Sequence, residues 1–198
     1  MRRGHDVTCF ARPGAQVPSD LKGQYRFGNV THVQSILNDG ICNEHFDVVV
    51  SCLASRNGTH DDAWAIDYQA HINALEAART AGVAHFILLS AICVQKPRLA
   101  FQYAKLAFEK ALIESGLRYT IVRPTAFFKS LSGQVARVQK GKPFLVFGDG
   151  RLTACTPISD DDLADYLADC VENDELQNAI LPIGGPGDPM TPLEQGHI

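Results

Sequence analysis

The residues with the widest chemical repertoire are six cysteines, at positions 9, 42, 52, 93, 155 and 170, and seven histidines. Cys9, Cys52 and Cys93 lie in or beside apolar runs, where cysteine serves as a small buried hydrophobe. No Cys-x-x-Cys pair occurs and the histidines are scattered, so no metal site is expected and the thiols are read as reduced. Hydroxyls and one cation make a better case. Ser51-Cys52-Leu53-Ala54-Ser55 and Ser90 each close an apolar run, and Arg12 closes another. The glycine clusters Gly148-Asp149-Gly150 and Gly184-Gly185-Pro186-Gly187 do not lead from a first strand into a helix, as a phosphate cradle requires. The former reads as a turn and the latter as a loop.

These residues need elements to position them. Of 198 residues, 45% are hydrophobic and 20% charged, which suits one folded domain and excludes a disordered chain. A net charge of −4 without a basic block argues against a nucleic-acid partner. The longest strongly apolar stretch, residues 86–94, is far short of the roughly 18 that a membrane span needs. Strands are expected at 7–11, 48–54, 85–90, 119–123 and 179–183, and helices at 31–39, 61–80, 99–115 and 159–172. Continuous apolarity, as in Val48-Val49-Val50, marks strands buried on both faces. Gly82 supplies a helix stop, and Ser159 ahead of three aspartates supplies a helix start.

Strand–helix alternation gives an α/β fold, a Rossmann-type doubly wound parallel sheet with helices on both sides. Ligands bind such sheets at the carboxyl ends of the strands, and the first strand leads into a glycine-rich turn that approaches a pyrophosphate. That turn is expected upstream of Met1. Arg2-Arg3-Gly4-His5 reads as the last turn of a helix and its stop. Thr191-Pro192-Leu193-Glu194 reads as a helix start with a capping box, only four residues from the end. Both ends therefore read as cut, and residues 1–198 as one partial nucleotide-binding domain. Arg12 stands where the second strand of such a sheet ends, beside the adenosine ribose. An arginine there suits the 2′-phosphate of NADP, and spacing alone leaves this even with a solvated surface arginine. Ser51 to Ser55 lies on the ligand-binding rim. Ser90 holds the equivalent point on the next strand, where a loop-capping serine would look the same.

The stretch from Ile66-Asp67-Tyr68 through Leu75-Glu76-Ala77-Ala78 to Ala81-Gly82-Val83, with Phe86 to Ser90 after it, resembles the short-chain dehydrogenase/reductase superfamily in its extended and atypical, NmrA-like branches. Longer runs narrow the resemblance: Val48 to Gly58, Leu88 to Pro97, Ile121 to Leu131 and Leu181 to Gly187 are similar to the divinyl chlorophyllide a 8-vinyl-reductase family. The similarity runs in order from about Gly4 to Gly196, and members of that family are much longer.

The resemblance implies an oxidoreductase that uses NADPH to reduce the 8-vinyl group of a tetrapyrrole to ethyl. It also implies a chloroplast, or the cytoplasm of a photosynthetic bacterium, and residues 1–198 alone are expected to be inactive. A vinyl group conjugated to a tetrapyrrole accepts hydride at its terminal carbon because the charge left behind spreads into the ring, and a proton completes the ethyl group. Lys105 matches the lysine of the superfamily's Tyr-x-x-x-Lys pair and would hold the nicotinamide ribose. The bland alternative is an exposed lysine paired with Glu109 at i+4. Phe101 stands in place of the tyrosine, and Tyr103 points off another helix face. Ser51, Cys52, Leu53, Ala54 and Ser90 would line the cofactor rim, and Pro124 would close over the nicotinamide. A substrate-side region would begin at about residue 124, with Phe127 and Phe128 placed to stack on a macrocycle; at least one of the two is expected in the core. Asp67 replaces an asparagine common in extended relatives, and Gly28-Asn29-Val30 replaces an aspartate near the adenine. Lys129, Cys93 and bound water stay open as proton donors. Two further readings are a nucleotide-binding sensor or assembly factor without turnover and an NADPH reductase of other carbon–carbon double bonds.

Overall fold

The computed structural model describes residues 3–18 and 24–196. Strand β1 (Cys9–Ala11) pairs with β2 (Tyr25–Phe27) in one sheet. A second sheet runs β3 (Val48–Ser51), β4 (His85–Leu89), β5 (Arg118–Pro124) and β6 (Ala179–Ile183), and every pairing is parallel. The helices are α1 (33–41), α2 (60–80), α3 (Ala100–Glu114), α4 (Phe128–Gln139), α5 (Asp160–Glu172) and the short α6 (Pro192–Gln195).

Period-two alternation in β4 and β5 builds the layers. Phe86 and Leu88 point to one face with Ile121, where Leu75 and Ala78 of α2 and Phe108 and Leu112 of α3 cover them. Ile87 and Val122 point to the other face, against Ile158 and against Leu163 and Cys170 of α5. Each large side chain removed from water on these faces contributes about 1.5–3 kcal/mol. Pro182, which has no N–H, is tolerated because β6 is an edge strand of its sheet. The caps fall where expected: Ser159 accepts from the Asp162 amide at 3.0 Å, and Thr191 and Glu194 form a reciprocal box.

The structure departs from the sequence reading in several places. Strand β2 and helix α4 were not expected. Strand β1 begins at Cys9 rather than residue 7, and β3 ends at Ser51, which releases 52–54 into the rim loop. Val50 is 43% exposed, not buried on both faces, because β3 pairs with β4 alone among the described residues. Helix α1 runs two residues later than 31–39 and finishes in a wide i→i+5 segment, Ile36–Ile41. Helix α2 starts at His60 and carries a similar wide segment at Ala63–Ala70. Of the helix tail read at Arg2–Arg3, Met1 and Arg2 lie outside the described residues. Asn73 of α2 donates to the Val30 carbonyl at 3.1 Å, which links the helix layer to the loop after β2.

Gly184 and Gly185 follow β6 as a loop and lie tightly against segment 156–158. The Gly185 amide donates to the Thr156 carbonyl at 3.1 Å, and a Cβ at Gly185 would run into the Pro157 carbonyl. Backbone cannot give way there cheaply, so Gly185→Ala is expected to cost about 2 kcal/mol or more. Gly133, inside α4 with open space where a Cβ would stand, is the control. Gly133→Ala is expected to stabilise by about 0.5–1 kcal/mol. Urea unfolding of the two variants checks both signs.

Candidate functional site

The register of the second sheet brings several strand ends to one rim. Ser51 pairs with Leu88, Leu89 with Val122, and Pro124 with Ile183. The residues that close these strands therefore share an edge, and the loop 52–54 runs on from it. Ser51 is buried at 5% exposure, and its hydroxyl has no hydrogen-bond partner. Arg12 follows the last residue of β1 and is exposed. Ala54 is exposed and Leu53 half-buried. Cys52 and Cys93 are exposed and Cys9 half-buried, so none is the buried hydrophobe its apolar run suggested; partial desolvation still pushes the Cys52 thiol above its ordinary pKa, against the opposing charge of Lys105.

Lys105 is buried, with its ammonium 3.0 Å from an Asp67 carboxylate oxygen and 3.5 Å from the Leu53 carbonyl. The alternative of an exposed lysine paired with Glu109 is thus replaced by a buried ion pair to another helix. Glu109 has its own partners: it accepts from the Ser90 hydroxyl at 2.5 Å and pairs through both oxygens with the Arg123 guanidinium. The Ser90 hydroxyl thus donates into an internal cluster that the sequence reading did not foresee. Phe101 and Lys105 are one turn apart on α3, while Tyr103 is half exposed on an outer face, beside an apolar groove with Trp64 and Ile113.

The paired phenylalanines separate as alternation requires. Phe127 packs against the Ile87–Val122 core, and Phe128, at the first position of α4, is 53% exposed. Pro124 is buried at the end of β5. Asn29 accepts from the amide and hydroxyl of Thr31, and Gly28 leaves room for the Phe10 ring, so that loop is organised by its own contacts. Among the described residues no group of three or more His, Cys, Asp or Glu side chains could hold a metal ion. No helix among them is long and apolar enough to cross a membrane.

Sequence reasoning did not pair Asp67 with Lys105 or Glu109 with Arg123, although a signal existed. Lys105 and Glu109 fall on the same buried stripe of α3 as Phe108 and Leu112. Charges on a core-facing stripe need buried counter-charges. His71 was likewise passed over. It is fully buried, its Nδ1 lies 3.0 Å from the Ile66 carbonyl, and its ring stands 4.7 Å from that of Phe108.

Burial, followed by the charge of Lys105, lowers the His71 pKa from 6.5 to about 4. The unfolded chain then binds the extra proton between those values, so this residue's contribution is present above pH 6.5 and is lost as pH falls towards about 4. The shift corresponds to up to about 3 kcal/mol. Urea midpoints measured from pH 4 to 7 should fall more steeply for the natural chain than for His71→Leu.

The family profile described as NAD(P)H-binding matches residues 1–174. Divinyl chlorophyllide a 8-vinyl-reductase of Arabidopsis thaliana is 57% identical over 216 residues, covering 100% of this chain and 52% of that protein. Its counterpart in Cucumis sativus is 52% identical over 212 residues, covering 99% of this chain and 51% of that protein. The chain thus spans about half the length of these curated relatives. Among solved structures, UDP-glucose 4-epimerase from Thermotoga maritima superposes with a TM-score of 0.82 at 17% identity, over 99% of this chain and 74% of that one. That likeness establishes the doubly wound fold. Since the profile match takes in residues 1–174 of 198, with strands β1 to β5, the chain belongs to the NAD(P)H-binding family.

Proposed function

We propose that this chain is the nucleotide-binding part of an NADPH-dependent reductase that converts the 8-vinyl group of divinyl chlorophyllide a to ethyl in the chloroplast. The observation that carries the reading is the 52–57% identity, along essentially the entire chain, to two chloroplastic proteins of that name. On this reading residues 1–198 form one unit, with the substrate side beginning near residue 124.

The rim offers two of the groups that a nicotinamide dinucleotide needs. Ser51 presents a buried hydroxyl without a partner, and Lys105 presents a cation with a donor to spare. When bound, NADPH supplies the hydride. Lys105 would hold the ribose hydroxyls next to the nicotinamide, and Ser51 with the backbone of Cys52, Leu53 and Ala54 would line the adjacent rim. Arg12 would meet the 2′-phosphate, as a guanidinium matches phosphate geometry. Pro124 would back the nicotinamide. The exposed ring of Phe128 would stack on the macrocycle, while Phe127 anchors the start of α4 in the core. Phe101 in place of a phenol suits a carbon–carbon double bond, whose reduction forms no alkoxide.

The full-length gene product should convert divinyl chlorophyllide a to the monovinyl form with NADPH, followed by pigment chromatography. No conversion with fresh NADPH overturns the reading. In the same assay Arg12→Ala should raise KM for NADPH about ten-fold, the worth of one charge-assisted contact. KM for NADH should stay within about two-fold, because NADH has no 2′-phosphate for the arginine to meet.

A further inference from the structure

Asp67 has no part in the contacts proposed above, yet it is placed where a role is needed. Its side chain is 1% exposed, and Lys105 Nζ lies 3.0 Å from Oδ1. Beyond that ion contact neither carboxylate oxygen has a hydrogen-bond partner. A buried ion pair is a poor stabilising device, because desolvation of both charges offsets their attraction. A carboxylate lacking amide or hydroxyl donors is costlier still.

Two observations indicate what the pair does. Asp67 lies inside the wide segment Ala63–Ala70 of α2, and such segments within helices recur at functional sites. Lys105 carries three donors. One faces Asp67 and a second the Leu53 carbonyl in the rim loop, which leaves one uncommitted at the strand ends. The other titratable groups that feel this ammonium are Cys52 and His71.

We propose that Asp67 is a positioning residue, which fixes the Lys105 ammonium at the carboxyl ends of the strands so that its remaining donor is presented to a ribose hydroxyl of the bound nucleotide. A lysine stem is long and flexible, and ordering it at each binding event would weaken affinity. Here the ordering is done once, on folding. The proposal rests on the nucleotide-binding reading of the rim but not on the tetrapyrrole.

The test uses Asp67→Asn, close in shape and without charge, in the full-length gene product. NADPH affinity is read from nicotinamide fluorescence with no tetrapyrrole present, so a failure of the vinyl-reductase reading leaves this result standing. Measured well below the variant's own melting temperature, which falls because the buried ammonium loses its counter-charge, binding should weaken about ten-fold. Lys105→Met should weaken binding to a similar extent, and Asp67→Asn/Lys105→Met no further than Lys105→Met alone, since Asp67 acts only through the lysine. Unchanged NADPH affinity in Asp67→Asn overturns the proposal, as does a further loss in the double variant. If Asp67→Asn does not fold, Asp67→Ser, which also removes the carboxylate, carries the comparison. If the natural protein binds no NADPH, the nucleotide reading falls and this proposal falls with it.

Discussion

Glu109 ties helix α3 to the sheet at two points. Its carboxylate takes the Ser90 hydroxyl where β4 ends and, through both oxygens, the Arg123 guanidinium from within β5. Removing one member of such a cluster would leave a buried charge unpaired, at about 3–5 kcal/mol. The helix therefore cannot slide along the strands by a turn without breaking it. Lys105 lies one turn before Glu109 on the same stripe, so the lock that sets the helix register also delivers the lysine to the strand ends. The cation is as well placed as Glu109 is well satisfied.

The same arrangement explains which parts were legible in the sequence. Strands β4, β5 and β6 could be read from their continuous apolar runs, and helices α3 and α5 from the helical period that one buried face imposes on residue type. Strand β2 could not, being three residues, Tyr25-Arg26-Phe27, with Arg26 committed to the Gly40 carbonyl and to Glu44. Helix α4 carried apolar residues at 128, 135 and 138 in helical spacing, but Phe128, Val135 and Val138 are all half exposed, so no core requirement advertised it. Lys105 was legible through the motif it matches. That Lys105 needs a buried counter-charge was legible from its place on the core-facing stripe; that Asp67 supplies it was not, because the wide segment of α2 breaks the spacing that a regular helix would give. A period-3.6 reading places Asp67 on a face but cannot foresee a local change of pitch.

The electrostatics of the rim then divide labour among its cations. Lys105 is matched by Asp67 and Arg123 by Glu109, so the buried floor is neutral overall and offers a nucleotide's phosphates little net attraction. On the proposed reading, Lys105 would act through where its donor points rather than through net charge. Arg12, exposed beyond the end of β1, is on the proposed reading the cation that would answer an added phosphate. A neutral floor also suits the reaction proposed. Hydride addition to a conjugated vinyl group spreads negative charge over a macrocycle and concentrates none on an oxygen, so neither a fixed unpaired cation nor a phenol is required beside the reacting carbon. Phe101 where the Tyr-x-x-x-Lys pair of the resembled superfamily has its tyrosine, and a lysine whose charge is already answered, are two expressions of the same requirement.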